Sequence, residues 1–135
     1  MTVTLFTTPS CSSCRKARLW LEDHGIAYRE QNIFVTPLKV ADIKAILRLT
    51  EEGTEEIISK RSQAYQQLGA QLEELPLGDL FDLIQRHPGI LRRPIVMDDR
   101  RLQVGFNEEE IQRFLPRSVR IQALQTAQRL ANGQK

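Results

Sequence analysis

No stretch of this chain approaches the ~20 consecutive apolar residues that a membrane-spanning helix needs. The opening Met1-Thr2-Val3-Thr4-Leu5-Phe6 lacks both a basic region and a long apolar segment. Neither a membrane placement nor a secretory signal is therefore expected, which leaves a cytoplasmic location. Charge of one sign is scarce: 19 Lys and Arg stand against 17 Asp and Glu, a formal net charge of +2. That is too little to argue for nucleic-acid binding over the whole surface. Repeats and low-complexity segments are absent. Cysteine is nearly so, with only Cys11 and Cys14, three positions apart. Structural disulfide frameworks use several bridges across long loops, so none is expected here. A single Cys-x-x-Cys reads instead as redox chemistry or as half of a metal site.

What is present is an ordinary globular composition, 41% hydrophobic and 27% charged over 135 residues, enough for one domain with its own core. Val3–Phe6 is β-prone and is followed by the breaker Thr7-Thr8-Pro9-Ser10. Ala17, Leu19, Trp20 and Leu21 predict a helix from about Ser12 to His24, with Gly25 in the left-handed position after it. Residues 26–33 alternate as a second strand, giving the start of a parallel α/β unit. Val40, Ile43, Ile46, Leu47 and Leu49 predict a helix after Thr36-Pro37. A further helix is capped by Thr54 and runs through Ile57 and Ile58, and shorter helical pieces cover 64–68 and 77–84. Residues 93–97 and 102–106 read as a hairpin around Asp98-Asp99-Arg100-Arg101. Asn107 and Glu110 resemble the N-cap pair of a helix through Phe114, Pro116 stops it, and an amphipathic helix spans 118–131. The order is that of a thioredoxin-like α/β fold with a mixed four-stranded sheet, interrupted by a helical insertion. One domain, 1–135, is expected, made of a redox half (about 1–36 and 91–135) and a helical insert (about 37–90).

Cys11 falls where a strand hands over to a helix, where unpaired N–H groups and the helix dipole favour an anion such as a thiolate. Cys14 lies one turn on, so Cys11 is the expected nucleophile and Cys14 the resolving thiol. Arg15, Lys16 and Arg18 add positive potential, unless their side chains point into water. Two alternatives stay open: a pair of inert core cysteines, or a zinc site, although His24 and His87 do not make a second ligand pair within one chain. His24 reads as a helix-end residue and His87 as a pre-proline loop residue. Pro94 is the candidate for the cis-proline that faces the Cys-x-x-Cys loop in such folds, against an ordinary trans proline. Arg93 would then steady the Cys11 thiolate or bind an anion beside it. The acidic run Glu51-Glu52-Gly53-Thr54-Glu55-Glu56 is either a solvated junction or a surface for a basic partner. Arg113, Arg117, Arg120 and Arg129 read first as a solvent face and second as a DNA-facing one.

Several ordered motifs together resemble the Spx family. They are Cys11-Ser12-Ser13-Cys14-Arg15-Lys16-Ala17, Arg29-Glu30-Gln31-Asn32-Ile33-Phe34, Glu52-Gly53-Thr54, Ile57-Ile58-Ser59, Leu91-Arg92-Arg93-Pro94-Ile95, Leu102-Gln103-Val104-Gly105-Phe106 and Arg113-Phe114-Leu115-Pro116-Arg117. The likeness runs from residue 2 to about 132. It implies an arsenate-reductase-like thioredoxin fold and a redox-sensing global transcriptional regulator rather than an enzyme. Such a regulator binds the C-terminal domain of the RNA polymerase α subunit, is controlled by a Cys11–Cys14 thiol/disulfide switch, and uses neither metal nor cofactor. By the same resemblance Arg93 senses the state of the pair, and Gly53, with Arg48, contacts the polymerase. Promoter DNA is met only within the polymerase complex. The ClpXP protease and its adaptor are further implied partners, although here Gly133-Gln134-Lys135 follows the Leu130-Ala131-Asn132 that such chains often end on. Two enzyme readings compete. An arsenate reductase would use Cys11 as nucleophile and Arg93 as oxyanion ligand, but Ser12-Ser13-Cys14-Arg15 stands where those enzymes typically carry Gly-Thr-Ser-Arg. A general dithiol oxidoreductase usually carries an aromatic residue or proline between its cysteines, and Ser12-Ser13 is neither.

Overall fold

The structure, a computed structural model, describes residues 2–72 and 74–131. Four strands form one mixed sheet in the order β2-β1-β3-β4. β1 (Val3–Thr7) pairs in parallel with β2 (Tyr28–Asn32), with Val3 opposite Tyr28 and Thr7 opposite Asn32. On its other side β1 meets β3 (Ile95–Met97) antiparallel, and β3 turns into β4 (Leu102–Val104). Side chains alternate across a pleated sheet, and that alternation divides the core. Val3, Leu5 and Val96 face one way and pack with Ala17 and Leu21 of helix α1 (Ser12–Asp23) and with Ile111 and Phe114. Phe6, Ile95 and Leu102 face the other way, into the larger cluster built by the insert.

The insert comprises α2 (Val40–Leu49), α3 (Thr54–Ile57), α4 (Gln63–Leu72), α5 (Leu77–Arg86) and a 3-10 turn at Pro88–Ile90. Ile43 and Ile46 of α2, Ile57 of α3, and Leu80, Phe81, Leu83 and Ile84 of α5 are buried at the spacing of a helix face. Two backbone hydrogen bonds tie the end of α3 to the segment 90–92 that leads towards β3. Ser59 N–H donates to the Ile90 carbonyl at 2.7 Å, and Arg92 N–H to the Ile57 carbonyl at 2.8 Å.

Several boundaries differ from the sequence reading. β2 begins at Tyr28 rather than Ile26, because Ile26 N–H still closes the end of α1 on the Leu21 carbonyl, with Gly25 at φ +64. The cap of α3 is Gly53, not Thr54, which is already helical. Asn107 is not the cap residue itself: its Oδ1 accepts the N–H groups of Glu109 and Glu110 in the turn that leads in, while Glu109 caps Glu110–Phe114, which is 3-10 in place of an α-helix. α6 (Arg117–Ala131) is the last described element, with Leu124 and Leu130 exposed. The expectation about Gly133-Gln134-Lys135 lies outside the described residues.

Candidate functional site

The site begins where β1 ends. Thr8 and Pro9 lead to Ser10, which holds a left-handed φ of +59, unusual for a residue with a Cβ. The chain then turns into Cys11, whose extended backbone (φ −103, ψ 110) makes it the N-cap of α1. An N-cap side chain accepts a hydrogen bond from the first turn of its helix. Here the acceptor is sulfur: Cys14 N–H donates to Cys11 Sγ at 3.1 Å. That donor and the α1 N-terminus both favour negative charge on Cys11 sulfur. Cys11 is partly accessible and Cys14 is buried, and neither is disulfide-bonded.

Two cysteines three residues apart thus meet opposite environments. Cys14 is 1% exposed. Burial, then its hydrogen bond with Cys11 and the charge of Cys11, pushes its thiol up to about 12. A hydrogen bond with the Thr8 backbone and the charge of Arg93 pull the other way. Cys14 is therefore a neutral thiol at physiological pH.

Arg93, half-buried, precedes Pro94 across a cis peptide bond. Its guanidinium lies 5.8 Å from the centre of the Phe34 ring, and among the described residues it makes no ion pair. It lines a cleft of about 630 Å³ together with Phe34, Arg86, His87 and Gly89. A cation without a carboxylate partner, whose charge reaches Cys14, is poised to answer a change of charge at sulfur.

Gly53 and Arg48 stand on different elements from the cysteines. Arg48 is exposed in the last turn of α2. Gly53 has φ +78 and ψ −138, a conformation nearly restricted to glycine, and a Cβ built on it would meet nothing within 4 Å. Of the four carboxylates around it, Glu56 serves the turn itself, accepting the N–H groups of Glu51 and Glu52 at 2.9 and 2.8 Å. Glu51, Glu52 and Glu55 face solvent.

The histidines hold local structure. His24 Nδ1 is 2.8 Å from the Trp20 carbonyl and its ring stacks on Trp20. His87 ends α5 before Pro88. Among the described residues no group of three or more His, Cys, Asp and Glu could hold a metal, and no helix is long and apolar enough to cross a membrane. Arg113 does not form the free basic face the sequence allows. It donates to the carbonyls of Leu102 and Glu110, and Arg101 donates to the carbonyl of Arg113. Arg18 likewise is no free source of potential: it is paired in bidentate fashion with Glu30, which also accepts from Thr7. Sequence reasoning missed Glu30, although the parallel register that sets Glu30 opposite Leu5, two residues before Thr7, could have pointed to it.

Residues 6–114 match the ArsC family. Over 130 residues, 96% of this chain and 99% of each relative, the sequence is 61% identical to the global transcriptional regulator Spx of Listeria innocua and 62% identical to that of Bacillus subtilis. Among solved structures, an ArsC family related protein from Bacteroides fragilis matches with a TM-score of 0.73 at 25% identity, over 84% of this chain and 97% of that one. An arsenate reductase from Vibrio cholerae shares the fold, with a TM-score of 0.66 at 24% identity over 85% and 96% of the two chains. With a thioredoxin-like sheet, a helical insert and this level of identity along nearly its whole length, the chain belongs to the Spx regulators of the ArsC family.

Proposed function

We propose that the chain is a cytoplasmic transcriptional regulator that docks on the C-terminal domain of the RNA polymerase α subunit, under the control of a Cys11–Cys14 dithiol/disulfide switch. The observation that carries the proposal is the contact between Cys14 N–H and Cys11 Sγ at 3.1 Å, which keeps an accessible sulfur and a buried one in adjoining positions at one helix mouth. Oxidation would join the two sulfurs at the helix mouth and take away the acceptor that Cys14 N–H now meets, beside the charge of Arg93 that reaches Cys14.

The docking surface in this reading is the α2–α3 junction, with Gly53 and Arg48 as contacts. A connection to the cysteines is at hand. Arg93 comes directly after the segment 90–92, which is hydrogen-bonded to Ile57 and Ser59 at the end of α3, whose first turn Gly53 caps. Both clusters of the core reach the same sheet, which supports reading redox half and insert as one domain. ClpXP and its adaptor, and promoter DNA within the polymerase complex, complete the expected partners.

The test is α-domain affinity measured for reduced protein, oxidised protein and Cys11→Ala. The oxidised form is expected to bind at least about tenfold tighter than the other two, within the usual range of allosteric coupling. Linkage then requires the α-domain to shift the disulfide equilibrium by the same factor. Equal affinities would remove the switch while leaving the docking. Membership of the ArsC family, with Cys11 at a helix N-terminus and an Arg93 that makes no ion pair among the described residues, favours arsenate reduction as the second reading. Sustained turnover of arsenate with glutathione as reductant would establish it; a single turnover ending in a Cys11–Cys14 disulfide would not.

A further inference from the structure

One carboxylate holds both stems of the loop that carries the cysteines. Glu30 Oε1 accepts from Arg18 Nε at 2.7 Å, and Oε2 accepts from Arg18 Nη2 at 2.7 Å and from Thr7 Oγ1 at 2.9 Å. Thr7 is the last residue of β1, four before Cys11, and is 2% exposed. Arg18 lies on α1, one turn beyond Cys14. The two-pronged contact fixes the guanidinium plane as well as its distance. The Arg18 hydrogen bonds, aided by that from Thr7, hold the Glu30 carboxyl below the usual range, so it is charged under working conditions. With side chains about one-third exposed, this pair is less screened than an open surface bridge. The switch reading uses none of these three residues.

Resting on that reading, we propose that Glu30 is a positioning residue: by tying the strand end that leads to Cys11 to the helix that carries Cys14, it sets the dithiol–disulfide equilibrium of the pair. Consider a low-molecular-weight disulfide, RSSR, as oxidant. Cys11 thiolate attacks one of its sulfurs, the RS–SR bond breaks, and RS⁻ leaves behind a mixed disulfide on Cys11. Cys14 releases its proton to solvent and attacks Cys11 sulfur. The mixed disulfide breaks, and the second RS⁻ leaves. The pair has lost two electrons and two protons, and RSSR has become two RSH. Only the second step depends on how often Cys14 sulfur stands at Cys11, that is, on an effective concentration set by restraint. Releasing one stem adds conformations to the dithiol and mixed states that ring closure must discard, so the disulfide becomes less favourable relative to both.

The experiment equilibrates the full chain with glutathione and glutathione disulfide, blocks free thiols by alkylation, and counts dithiol, mixed and intramolecular forms by mass spectrometry. Wild type, Thr7→Val, Glu30→Gln, Arg18→Ala and the double variant Arg18→Ala/Glu30→Gln are compared, with thermal midpoints measured in parallel. Glu30→Gln and Arg18→Ala are expected to lower the equilibrium constant for the intramolecular disulfide roughly three- to tenfold, and the double variant no further, since the two changes break one contact. Thr7→Val, which replaces a hydroxyl by a methyl of similar size, lowers it less and decides the matter if the others fail to fold. Folded variants whose midpoints fall while the equilibrium constant stays at the wild-type value overturn the proposal, because a merely structural bridge behaves so. Wild type that forms only glutathione adducts overturns the switch itself, a result distinct from failure of the clamp.

Discussion

Cys11 and Cys14 are the same residue type one helical turn apart, yet the structure gives them unlike surroundings, chiefly through burial. Cys14 packs in the first turn of α1 at 1% exposure, which drives its thiol to about 12. Cys11, at the cap, keeps access to solvent. Iodoacetamide at pH 7 is therefore expected to modify Cys11 first, with Cys14 at least about tenfold slower until urea unfolds the chain; equal rates in the folded protein would contradict the assignment. Linkage fixes the sign of the pH dependence. A thiol whose folded value lies above its ordinary value of 9.0 contributes stability that is whole below pH 9 and is lost as pH rises towards 12. Urea midpoints should decline over that window, and Cys14→Ala should flatten the decline. That Cys11 stands at a helix mouth was legible from the strand–helix junction. That Arg18 is neutralised was not, because its partner Glu30 is twelve residues away and arrives only when β2 pairs with β1.

Among the elements, the short helix α3 depends most on one residue. Gly53 caps it at φ +78 and ψ −138, with open space where a Cβ would stand. Gly53→Ala therefore meets no clash, and its expected cost of about 1–3 kcal/mol comes from backbone strain. Arg48→Ala, at an exposed helix position, should stay within about 0.5 kcal/mol of wild type. If the α2–α3 junction is the docking surface, both variants lose α-domain binding, Arg48→Ala without any loss in urea denaturation. Binding retained by folded Arg48→Ala and Gly53→Ala would place the partner elsewhere. Periodicity located this helix but shifted its cap by one residue. Thr54 has the chemistry of a cap, whereas Gly53 has the freedom in φ and ψ that this turn demands.

Across the whole molecule, the larger core cluster joins Phe6 and Ile95 of the sheet to Ile57 and Ile84 of the insert, and the smaller one seats α1 on the opposite face. An insert that shares its core with the sheet should not unfold alone. Ile57→Ala, at a fully buried position, is expected to lower stability by about 2–5 kcal/mol. The same midpoint should be read by far-ultraviolet circular dichroism and by Trp20, the single tryptophan, which sits on α1 across the sheet from Ile57. A circular dichroism midpoint that moves while the Trp20 midpoint stays would divide the chain into two units.

By itself, the sequence determined what is local. Period-2 and period-3.6 apolar patterns set the element order, Gly25 and Pro116 marked helix limits, and Cys11 was placed at a helix mouth, because backbone geometry and side-chain size act over a few residues. Tertiary structure decided what needs distant chain brought together. It buried Cys14 but not Cys11, left Arg93 beside Phe34 with no ion pair among the described residues, engaged Arg113 with backbone carbonyls, and closed Glu30 onto Arg18 and Thr7. Desolvation and ion pairing depend on what surrounds a group in space, and neighbours in space are set by strand register and packing rather than by position along the chain.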